Sequence, residues 1–133
     1  MMPALAFLST HAPGWGVSSP SAFYFLTGSL SAGLDNAPTY LSFLQIAFGE
    51  RPIDPAGIMQ FLAEPDGPMR LEAISLGAVF FGAMTYIGNG PNFMVRSIAE
   101  ASGVEMPSFF GYVGKALMIL LPVLVLAWVV FVH

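Results

Sequence analysis

The chain has 133 residues, 56% of them apolar and only 9% charged, with a net charge of −4 and no cysteine. Soluble domains run at about 45–50% apolar and about 25% charged, so this chain cannot be clothed in water and reads as an all-α integral membrane protein. Four basic residues make no patch for a nucleic-acid backbone, and cysteine's absence excludes disulfides and thiolate metal sites.

In chain order, residues 1–8 read as the end of a preceding helix. His11 then precedes Pro13-Gly14-Trp15-Gly16, which predicts a solvated loop, and the only other imidazole is His133, so no histidine metal site is expected. Residues 21–48 form two apolar arms around a polar tip at 35–38, Asp35-Asn36-Ala37-Pro38. The arms are about 21 and 15 Å long as helices, each about half a bilayer. They predict either one kinked crossing or a re-entrant hairpin. Small residues in the first arm (Gly28, Ser29, Ser31, Ala32, Gly33) favour the hairpin, because non-helical backbone at depth must be shielded from lipid.

Residues 49–71 are a polar loop with four prolines, in which 58–62 predict a short interfacial turn. The segment 72–101 is helical in its periodicity but is interrupted by Gly88-Asn89-Gly90-Pro91-Asn92. Two glycines and a proline in five residues will not hold a regular helix. A discontinuous helix is expected, 72–87 and 91–101, broken at 88–90. Small residues at Ala73/Gly77 and Ala78/Gly82 would let another helix approach closely. Residues 108–132 predict a full transmembrane helix, bent at Pro122, with Lys115 and Trp128 suited to the two interfaces.

The two polar breaks carry the chemistry. Asp35 is the only acid inside an apolar stretch, and a carboxylate at membrane depth costs about 2.5–3.5 kcal/mol on insertion scales. A dehydrated cation needs several oxygen ligands, which Asp35, Asn36, Thr39, Asn89, Asn92 and the unwound carbonyls at Gly88 and Gly90 can supply. Hydroxyls of Ser31 and Thr85 would add to the set, and helix C-termini at Leu34 and Ile87 would contribute negative dipole ends. The plainer alternatives are that Asp35-Asn36 merely caps the next helix, and that 88–92 is a kink or an interhelical turn. Arg96 and Glu100 at i,i+4 read as a surface pair.

The string Thr27-Gly-Ser-Leu-Ser-Ala-Gly-Leu-Asp-Asn-Ala-Pro-Thr-Tyr-Leu41, followed by Tyr86-Ile-Gly-Asn-Gly-Pro-Asn-Phe-Met-Val-Arg96, resembles the C-terminal part of bacterial sodium/proton antiporter-like permeases. These belong to the ion-transporter superfamily, with citrate permeases, arsenite permeases and sodium/dicarboxylate symporters. The resemblance covers roughly residues 20–133. It implies that 34–38 is the tip of a re-entrant hairpin, that 88–92 is the unwound stretch of the following helix, and that 108–132 is the last crossing.

The resemblance also implies part of one inverted repeat, hence a C-terminal fragment, a split subunit or a truncated gene model of a multi-pass transporter in the cell inner membrane. The expected activity is secondary transport, Na⁺/H⁺ exchange first and organic-anion symport second. No enzyme chemistry and no cofactor beyond the transported Na⁺ and H⁺ are expected. The expected partners are the lipid bilayer and a missing N-terminal half, other membrane subunits or a second copy of the chain, with no nucleic acid. A non-transporting accessory membrane subunit is the competing expectation.

Overall fold

The computed structural model describes residues 17–132, which are helical with no strand among them. The elements are α1 (Pro20–Ser31), α2 (Asn36–Phe48), α3 (Pro55–Leu62), α4 (Gly67–Phe80) running into a 3₁₀ turn (Phe81–Met84), α5 (Gly90–Ala101) and α6 (Phe109–Phe131). The expected helix end over 1–8, and His11 and His133, lie outside the described residues.

Local chemistry sets most of the starts. Ser19 and Ser108 accept the amides of Ala22 and Gly111, at 3.2 Å each, opening α1 and α6. Asp54 accepts the Gly57 amide at 2.7 Å with Pro55 behind it, and Asn89 accepts the Asn92 amide at 3.0 Å with Pro91 between. A short polar side chain at the cap and a proline in the first turn satisfy or remove the orphan amides of a helix start. α2 ends where Gly49 takes φ +62, a left-handed conformation that favours glycine.

The core forms where α1 crosses α4, with α2 packed on the same helix. Gly77 makes the crossing close: a Cβ there would stand 2.6 Å from the Tyr24 carbonyl and 3.2 Å from the Gly28 amide. Ala73, Gly77, Ala78 and Gly82, the small residues noted in the sequence, are all buried here. Phe23, Tyr24, Phe61 and Ile74 fill the space around them. α6 docks through polar atoms of its partners: the Tyr24 hydroxyl donates to the Leu124 carbonyl (2.9 Å), and the Trp128 indole donates to Ser21 (2.9 Å).

α6 is the one helix among the described residues long and apolar enough to cross a membrane. Its 23 residues reach about 35 Å at 1.5 Å each, against a hydrocarbon core of about 30 Å. The helices α1, α2 and α4 are shorter, at 12, 13 and 14 residues.

Two segments differ from the sequence reading. The helix expected over 72–87 leaves α-geometry at Phe80 and passes through the 3₁₀ turn to an extended Thr85 (φ −134, ψ 165). The Thr85 hydroxyl takes the Ile87 and Gly88 amides, so a local side-chain bond competes with the helical ladder. The polar loop over 49–71 also contains α3 and the first turns of α4. Gly57 and Gly67 permit this, since a Cβ at either would fall within 2.0 Å of a carbonyl oxygen, that of Pro52 or Phe61.

Candidate functional site

The first break lies between α1 and α2. At the end of α1 the amides of Ala32 and Leu34 close the last turn onto Gly28 and Leu30. The carbonyls of Ser31 and Ala32 receive no backbone amide, as expected of a helix C-terminus. Asp35 then turns the chain, its carboxylate accepting the Asn36 amide at 2.8 Å. Its carbonyl takes both the Thr39 amide (3.3 Å) and the Thr39 hydroxyl (2.9 Å).

The second break runs from the 3₁₀ turn to the start of α5. Asn92 folds back on it, its side-chain amide donating to the carbonyls of Thr85 (3.1 Å) and Gly82 (3.3 Å). Glycine is required at its two ends. A Cβ on Gly88 would lie 2.6 Å from the Gly82 carbonyl and 3.0 Å from the carbonyls of both Ser31 and Ala32. A Cβ on Gly82 would lie 2.5 Å from the Asn36 side chain and 3.1 Å from the Gly88 carbonyl.

These contacts show that the two breaks meet. Asn36 joins them from the first side, and its neighbours fix how the amide is turned. An oxygen at its inner position would face only acceptors. The nitrogen points inward, and its two hydrogens are shared among Ser31 Oγ (2.8 Å), the Ala78 carbonyl (2.9 Å) and the Gly88 carbonyl (3.0 Å). Ser31 passes its own proton on to the Ala78 carbonyl. From the other side, the Thr85 hydroxyl donates to the Ala32 carbonyl. The junction is a buried concentration of main-chain oxygens, those of Ser31, Ala32, Gly82 and Gly88, stitched together by uncharged side chains.

Among the residues singled out from the sequence, Asn36, Gly88 and Asn92 come together at this junction. Asp35 sits on its rim and is exposed in this chain; Thr39 is buried one turn along α2. Asn89 caps α5, and Gly90 faces open space. The hydroxyls of Ser31 and Thr85 are engaged in holding the breaks together. The sequence reading missed the part played by Gly82, noted only for helix packing, and by the carbonyls at the end of α1. A glycine six residues before another glycine carries no signal of its own; only the fold brings the pair face to face.

Among the described residues, no Lys or Arg side chain is hydrogen-bonded to the junction. Arg96 is bound to Glu100 at 2.9 Å and lies over the Tyr86 ring, 4.6 Å from its centroid. Tyr86 is stacked on Tyr112 at 4.1 Å, and Tyr112 donates to the Ala83 carbonyl at 2.9 Å, which ties the start of α6 to the second break. No group of three His, Cys, Asp or Glu side chains that could hold a metal occurs among the described residues.

A separate ionic cluster lies in the connection between α2 and α4. Glu64 bridges Arg51 and Arg70, and both guanidiniums lie against the ring of the buried Phe61, at 5.6 and 5.3 Å. The hydrogen bond from Arg51, with that from Arg70, holds the Glu64 carboxyl below its ordinary range.

Residues 1–132 match the profile of the protein family described as "Putative citrate transport". No curated protein and no solved structure matches the chain.

Proposed function

The chain belongs to the citrate-transport family, and from that premise we propose that it supplies the cation seat of a secondary active transporter for citrate or a related carboxylate. The observation that carries this reading is the meeting of the two helix breaks at Asn36 and Gly88. A cation stripped of water needs hard oxygen ligands, and the junction concentrates main-chain carbonyls with the Asp35 carboxylate on its rim. The C-terminal end of α1 points its negative dipole end into this junction, as broken helices do in transporters. The N-termini of α2 and α5 also border it and suit a carboxylate.

In this reading α1 and α2 are the arms of a re-entrant hairpin, being too short to cross alone, and α4–α5 is one discontinuous helix. Na⁺ is the cation, held by Asp35, Thr39, the outward-facing amide oxygen of Asn36 and the carbonyls around Gly88, with Asn89, Gly90 and Asn92 shaping the opposite wall. The chain works in the cell inner membrane as part of a multi-pass assembly whose remaining elements complete the site. It is a carrier component and catalyses no bond chemistry.

Na⁺/H⁺ exchange without an organic substrate is a second reading. It is favoured by one observation: the Arg96 guanidinium, next to the second break in the chain, is bound to Glu100 and lies over the Tyr86 ring, and so is already engaged rather than held out to a citrate carboxylate. Inverted membrane vesicles holding the full assembly separate the two. Citrate uptake that rises with an imposed Na⁺ gradient supports the first; Na⁺-driven proton movement unaffected by citrate supports the second. Vesicles that show neither overturn both and leave a non-transporting subunit.

A further inference from the structure

Thr85 stands between the two breaks, with only 9% of its surface exposed. A threonine hydroxyl has one proton to donate and two lone pairs to accept with. Here the proton goes to the Ala32 carbonyl at the end of α1. The lone pairs take the amides of Gly88 (2.9 Å) and Ile87 (3.2 Å). The Thr85 carbonyl is itself held by Asn92 at 3.1 Å. With its capacity filled, this hydroxyl has nothing left to offer an ion. It fixes instead one carbonyl of the first break and two consecutive peptide groups of the second.

We infer that Thr85 is a positioning residue for the cation seat: its hydroxyl sets the relative placement of the Ala32 and Gly88 carbonyls without touching the ion. This deepens the proposed function and rests on it. Without the hydroxyl, the buried Gly88 amide, the part-buried Ile87 amide and the Ala32 carbonyl lose their partner, and the peptides around Gly88 are free to rotate away from the α1 terminus. Asn36 alone would then hold the seam.

Thr85→Val and Thr85→Ser in the full assembly test the inference by two readouts. In Na⁺-driven uptake, Thr85→Val should raise the half-saturating Na⁺ concentration about tenfold, equivalent to about 1.4 kcal/mol and within the range for hydrogen-bonding groups left without a partner. The maximal rate should fall far less, and Thr85→Ser should restore Na⁺ affinity. In amide hydrogen exchange, the peptide spanning 85–89 should exchange about tenfold faster in Thr85→Val than in the parent or in Thr85→Ser, with or without transport. Unchanged exchange in Thr85→Val would overturn the inference, as would a serine variant as impaired as the valine one or a loss of rate at unchanged Na⁺ affinity. If the parent's uptake ignores Na⁺, the cation-seat reading itself falls, while the exchange result still decides whether the hydroxyl holds the seam.

Discussion

The Asn36 side-chain amide donates to the Gly88 carbonyl at 3.0 Å, joining the turn after α1 to the unwound stretch before α5. Each partner is what the other needs. The unwound peptide has a carbonyl with no helical amide to accept, and the start of α2 offers a side chain with two donors. Because the bond depends on a nitrogen facing inward, replacing it with oxygen should do more harm than removing it.

Asn36→Leu leaves the Gly88 carbonyl and Ser31 hydroxyl without this donor and should cost about 1–3 kcal/mol, the usual penalty for a buried partner left unmade. Asn36→Asp places carboxylate oxygens against the same acceptors and should cost more at neutral pH. Thermal unfolding in detergent reads both. An aspartate variant as stable as the parent would mean that the amide is turned the other way.

Gly88→Ala is the corresponding change on the second break. Its Cβ would meet the Gly82, Ala32 and Ser31 carbonyls at 2.6–3.0 Å. These are backbone atoms, so relief requires the seam to open. Overpacking of this kind costs about 1–3 kcal/mol, and Na⁺-dependent uptake should be lost with it. Gly90→Ala, which meets nothing within 4 Å, is the matched control, and its unfolding temperature should stay within the small shift of an ordinary surface substitution.

The helices and both breaks were legible because they rest on local rules: caps with proline behind them, small residues at helical spacing, and two polar interruptions in uncharged runs. Asp54-Pro55 was an equally local signal for α3, hidden by the polar and proline-rich composition around it. What local rules could not supply is pairing. Nothing in the sequence says that Thr85 faces Ala32, or that Tyr86 stacks on Tyr112 and so ties α6 to the break. The early unwinding at Phe81 shares that origin in part: the Thr85 hydroxyl takes the local Ile87 and Gly88 amides, but its proton goes to Ala32, distant in the chain. The assignment of Thr85 as an ion ligand came from its hydroxyl; its role as a tie comes from where that hydroxyl is already spent.

The Glu64 bridge predicts an acid-sensitive contribution to stability. Arg51 and Arg70 lower the folded carboxyl below its unfolded value of about 4.5. Between those two values the unfolded chain binds more protons, so stability falls as pH drops through that window and is flat above it. Glu64→Gln should lower stability at neutral pH by about 1 kcal/mol or less, since both pairs are partly exposed and screened. Its unfolding temperature should also lack the parent's additional decline below the ordinary carboxylate range. Parallel acid profiles in parent and variant would remove the bridge as their cause.

Asp35→Asn separates the ion-binding role from the structural one. As a cap, Asp35 accepts the Asn36 amide through its side chain, and asparagine caps helices about as well as aspartate. The unfolding temperature should therefore change little. As a cation ligand, the carboxylate has no substitute in asparagine, which brings no negative charge. Na⁺-driven uptake in vesicles should fall by tenfold or more, equivalent to at least about 1.4 kcal/mol, while the helices remain intact. Transport at the parent's level in this variant would reduce Asp35 to a cap, and the negative charge of the seat would then have to come from the remaining elements of the assembly.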